Sequence, residues 1–248
     1  MMLKLLKYDF RAMWKSFSLI WGAALALALI NRFTLFRDLG DSGQFVTLAF
    51  IAVVMAMFVI AVSFVISRFS KGLLGNEGYL MHTLPVRSWQ LVLSKLICGA
   101  ATWIVSGMVA LASPILMTPM HFWRSITLDI FRGFSKHPDV LALILEFCLV
   151  VLSAIVLSIA VIYLAISIGH LFPRRRRLIG VVCFIGLYIL LFHVYDWAFS
   201  SYVFRQLMDV TTSNVHGSMF TAVAAMLIPA AAFLAAVCWI LDHKLNLE

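Results

Sequence analysis

The sequence predicts an all-α, polytopic membrane protein, and three observations carry that prediction. Hydrophobic residues make up 63% of the chain and charged residues only 12%, with a mean hydropathy of +1.02. A soluble domain needs a polar outer layer and is nearer half apolar, so this excess must face lipid. The apolar residues also gather into six runs near the roughly 20 residues a helix needs to cross the hydrocarbon core. Finally, Lys and Arg flank those runs unevenly from one side to the other.

Residues 1–16 are expected to form an amphipathic helix lying in the membrane interface. At roughly 100° per residue, Lys4, Lys7, Arg11 and Lys15 fall within an arc of about 80°. Leu3, Leu6, Phe10, Met13, Trp14 and Phe17 share a neighbouring arc of about 100°. Such a helix turns its cations to phosphates and its apolar face to acyl chains. The plainer alternative is a charged flank to the first span. A cationic start followed by Phe17–Ile30 with Ala-x-Ala steps also fits a secretory leader; the expectation here is a retained first span.

Six spans are expected at 17–33, 45–66, 91–117, 140–170, 178–195 and 217–241, making residues 1–248 a single transmembrane domain. With the N-terminus inside, the inner segments hold thirteen Lys and Arg and the outer loops six. That bias is expected to place both termini of a multi-pass chain in the cytoplasm. Trp14, Trp21, Trp89 and Trp239 fall near the inner interface, Trp123 and Trp197 near the outer one. Trp103 falls inside the third span and is expected to pack between helices. Cys98, Cys148, Cys183 and Cys238 are isolated in apolar stretches and read as small buried hydrophobes rather than disulfide or metal positions.

The net charge of +8 does not indicate nucleic acid, because the cations lie beside apolar runs where lipid head groups sit. Arg174, Arg175, Arg176 and Arg177, after Pro173, are expected to anchor the inner face. Glu146 is the sole acid within an expected span. Counting from Pro138 at roughly 1.5 Å per residue puts it about 12 Å along the fourth helix. That depth suggests a solvated or head-group position; lining a substrate path is the other reading. Alanines from Ala222 to Ala236 give the sixth span a narrow surface for close helix approach, and Pro229 should bend it. The seven histidines show no ligand spacing, no metal is expected, and no Ser/His/Asp set can be assembled.

The inner segment from Ser67 to Lys95 is the most distinctive stretch. Asn76 suits an N-cap and Glu77 the positive end of a short helix, while Leu84-Pro85 should end it. Ser88 can cap the third span. The short helix would display Tyr79, Leu80, Met81 and Leu84 to the cytoplasm, an apolar set in a polar loop that suits a docking partner. Folding back onto its own bundle is the alternative.

The run GNEGYLMHTLPVRSWQLVLSK resembles the loop between the second and third spans of bacterial ABC transporter permeases of the ABC type-2 family. There Gly-x-Glu-Gly-Tyr-Leu is followed by Thr-Leu-Pro, matched here by Glu77, Gly78, Tyr79, Leu80, Thr83, Leu84 and Pro85. An amphipathic N-terminal helix before six spans agrees in order. The resemblance implies a coupling helix at residues 67–90 seated on a separate ATPase subunit, a second permease subunit, and a hairpin dipping in from outside within 196–216. It also implies that ATP and Mg are bound by the ATPase and that this chain binds no cofactor and is no enzyme. Consistently, the sequence has no Gly-x4-Gly-Lys-Ser/Thr loop to cradle phosphates. The expected function is export of a hydrophobic or amphipathic cargo such as a peptide, lipid or drug; the alternative is a carrier or accessory membrane protein working without an ATPase.

Overall fold

A computed structural model describes residues 2–36, 41–73, 88–117, 139–172, 175–200 and 215–243. These form six helices: α1 (Met2–Phe36), α2 (Asp41–Leu73), α3 (Ser88–Met117), α4 (Asp139–His170), α5 (Arg176–Ser200) and α6 (Val215–His243). No strand occurs among the described residues. Each helix is long and apolar enough to cross a membrane. Even the 25 residues of α5 reach about 37 Å at roughly 1.5 Å per residue, beyond a hydrocarbon core of about 30 Å. Large apolar side chains point outward along every helix, among them Leu19, Met55, Leu111, Leu145, Val182 and Ile228. Surfaces of that kind are incompatible with water as the sole solvent and suit a multi-pass membrane protein.

The six expected runs all reappear, but the break between an interfacial helix at 1–16 and a span at 17–33 does not. Instead, α1 continues through 35 residues. No Gly or Pro interrupts it before Gly22, so nothing in the backbone favours a break near residue 16. Moreover, the apolar arc assigned to lipid is partly spent on other helices. Met13 and Phe17 are buried and Phe10 packs against them, whereas Trp14 stays exposed.

The chain divides into two compact units. The first comprises residues 1–65 and 97–140. On α1, Met13, Phe17 and Trp21 recur every fourth residue and meet Met57 and Ala61 of α2 and Cys98 of α3. Phe17 meets Phe64 edge to face at 5.3 Å. Trp21 is therefore a core residue rather than the interfacial anchor expected, and its Nε1 donates to Ser106 Oγ at 3.1 Å. Trp103 does pack between helices, 5.9 Å from the Phe58 ring. Of the cysteines only Cys98 is buried; Cys148 faces outward, where lipid gives an apolar side chain an equivalent environment.

The second unit comprises residues 66–96 and 141–248. Its centre is α4, where every residue from Ile159 to Ala165 is buried, as a helix enclosed on all sides requires. Tyr163 is fully buried, and its ring stacks on Phe69 of α2 at 4.1 Å. The end of α4 meets the start of α5 through glycines. A Cβ on Gly169 would lie 2.8 Å from the Arg176 carbonyl oxygen and 3.0 Å from the Gly180 backbone.

Both helix-interior prolines leave a carbonyl without its intrahelical donor, a serious cost in lipid. Each of those carbonyls is recovered by a hydroxyl. Pro114 frees the carbonyl of Ala110, which accepts from Ser113 Oγ at 3.0 Å. Pro229 frees that of Ala225, which accepts from the Tyr195 hydroxyl of α5 at 2.9 Å. The helix α6 runs on through Pro229.

Candidate functional site

Two places concentrate the chemistry-bearing residues. The first is the connection from α2 to α3. Its roots are firmly held. On α2, Phe69 is fully buried against Tyr163, and a Cβ on Gly72 would meet Lys95 Cε at 3.5 Å. On α3, Leu91, Val92, Ser94 and Lys95 are all buried. Ser88 is the first described residue of α3, and its hydroxyl donates to the carboxylate of Asp242 near the end of α6. The expected coupling residues Glu77, Gly78, Tyr79, Leu80, Met81, Thr83, Leu84 and Pro85 lie outside the described residues.

The cationic flanks are placed in part. Lys7, Arg11 and Lys15 on α1 are exposed, as are Arg175, Arg176 and Arg177 where α5 begins. The side chain of Lys4, Arg174, and residues 201–214 of the expected hairpin lie outside the described residues.

The second place was only half legible. Glu146 is buried rather than solvated, at 8% exposure. Its Oε1 lies 2.8 Å from Nδ1 of His216, at the start of α6. Seven residues further along α4, Ser153 Oγ donates to the Val150 carbonyl and contacts Met226 Sδ at 3.5 Å. The two contacts advance in the same direction along both chains, so α4 and α6 are parallel neighbours. Burial has a simple cause: the face of α4 that bears Glu146 is the face α6 covers. A carboxylate in such a place needs a partner, and the imidazole supplies one.

His216 has no sequence signal of its own, being 70 residues from Glu146. Topology held the clue: the fourth and sixth spans run the same way, so residues near their starts lie at one membrane face. Among the described residues, no three His, Cys, Asp or Glu gather as a metal would require. No protein-family model, curated protein or solved structure matches this chain.

Proposed function

We propose that this chain is the membrane-spanning permease subunit of an ATP-driven ABC transporter of the bacterial plasma membrane. The supporting observation is the match of Glu77–Pro85 to the family's coupling segment, set between two helices whose adjoining ends are anchored in a packed core. A rigid root is what a lever needs. Force applied at Tyr79 and Leu80 would pass through Phe69 to Tyr163 of α4 and through Ser88 to Asp242 of α6.

In this reading a separate ATPase chain binds ATP and Mg and closes on nucleotide. It shifts the coupling segment, and the spans of two permease subunits exchange inward- and outward-facing arrangements. Both termini are cytoplasmic, Lys7, Arg11, Lys15 and Arg175–Arg177 face anionic head groups, and the cargo is hydrophobic or amphipathic.

The test is co-purification with the nucleotide-binding chain. Tyr79→Asp and Leu80→Pro should each reduce recovery of that chain at least about tenfold, equivalent to roughly 1.4 kcal/mol, while the permease chain stays monodisperse. Undiminished recovery would remove the docking site. Full transport in vesicles free of any ATPase would remove the reading altogether.

A further inference from the structure

We infer that Glu146 and His216 form a proton-binding site at the start of the α4–α6 seam, in which the imidazole passes a proton to and from an enclosed carboxylate. Three features of the pair lead there. Nδ1 and Oε1 are 2.8 Å apart, within proton-transfer reach. Exposure falls from 45% at the His216 side chain to 10% at that of Glu146, giving the pair a wet end and a dry end. Oε2 is buried and has no hydrogen-bond partner among the described residues. Burying an unpaired acceptor is costly. A proton on the carboxylate removes that cost without a further partner at that oxygen.

The charge count then couples proton load to structure. Holding one proton, the pair is either carboxylate plus imidazolium or carboxylic acid plus neutral imidazole, and its net charge is zero in both. Transfer breaks the Nδ1–H bond, forms an Oε1–H bond and changes no net charge. Gaining a second proton leaves the positive charge on the half-exposed imidazole, whereas losing the only proton leaves an anion on the enclosed carboxylate, a state that requires water to reach it.

Among the described residues, the neighbouring helices supply no other counter-charge. From Leu141 to Gly169, α4 holds no other Asp, Glu, Lys, Arg or His, and α6 holds none between Gly217 and Leu241. The corresponding end of α5 carries His193 and Asp196, both exposed and neither ion-paired with the site among the described residues, and Tyr195, whose hydroxyl is committed to Ala225. The inference stands apart from the transport reading, because such a site serves an ATP-driven permease or a proton-driven carrier equally.

Infrared spectroscopy of the full chain in lipid nanodiscs tests it, with the protein's glutamate carboxyls labelled with carbon-13. Acidification from about pH 8 to about pH 5 spans the range in which histidine normally titrates. A labelled carboxylic-acid C=O band should rise together with imidazole bands. Glu146→Gln should abolish that band, and His216→Gln should move its rise to a different pH. The chain has only three glutamates, so Glu77→Gln with Glu248→Gln isolates the Glu146 signal even if Glu146→Gln fails to fold. A band that survives in Glu146→Gln, fails to appear in the Glu77/Glu248 double variant, or rises identically in His216→Gln overturns the inference.

Discussion

The helices of the first unit interlock through one cluster of large side chains, whereas those of the second add small-residue approaches and polar clips to the packing around Tyr163. On one side stand Met13, Phe17, Trp21 and Met57, each touching the others' neighbours in a single cluster. On the other stand the Gly169–Gly180 approach and three clips: Ser88 to Asp242, His216 to Glu146, and Tyr195 to Ala225. Lipid offers no hydrophobic drive between helices, so van der Waals packing and hydrogen bonds decide which surfaces meet. Sliding an interlocked aromatic cluster breaks many contacts together, while an interhelical hydrogen bond in a membrane is worth only about 1 kcal/mol and can be remade. The polar clips of the second unit are thus its cheapest contacts to remake, while the roots of the α2–α3 connection in the same unit are held by the Phe69–Tyr163 stack.

Truncation of the interlocking side chains should give the largest effect. Phe17→Ala leaves a hole between α1, α2 and α3 and should cost about 3 kcal/mol, read as a lowered unfolding midpoint in detergent. If Phe17→Ala were as mild as the loss of one clip, the contrast between the units would collapse. Next comes Gly169→Ala. Its Cβ would meet only backbone atoms, which cannot swing aside as a side chain could, so the α4–α5 junction must open at about 2 kcal/mol. Gly186→Ala on α5, with nothing within 4 Å of its Cβ, is the control and should be neutral or slightly stabilising.

These positions also show what sequence could reveal. Six long apolar runs survive translation into helices because a span's length and composition are local properties. The continuity of α1 was hidden because its cationic and apolar arcs suggested an interface helix, and only tertiary packing shows Met13 and Phe17 taken up by α2 and α3. Trp21 was misplaced for the same reason: its depth suited an interface, yet Ser106 and the core claim it. Glu146 stood out as a lone acid, but its burial depended on which face α6 covers. The coupling segment is the opposite case: its residues are legible only as a sequence pattern.

The smallest predicted effect sharpens the comparison most, since it separates a clip from mere proximity. Tyr195→Phe removes one hydroxyl and little volume, leaving the Ala225 carbonyl without a donor because Pro229 has no N–H to offer. The loss should be about 1 kcal/mol. In a Pro229→Ala background the new backbone N–H supplies that carbonyl, so the same Tyr195→Phe change should cost well under half as much. The double-mutant cycle reads this difference directly, whatever Pro229→Ala does alone. Equal costs in both backgrounds would mean that the tyrosine acts through its ring. A reduced cost would show that a hydroxyl on α5 replaces the bond that the proline of α6 deletes, tying the least enclosed of the six spans to α6.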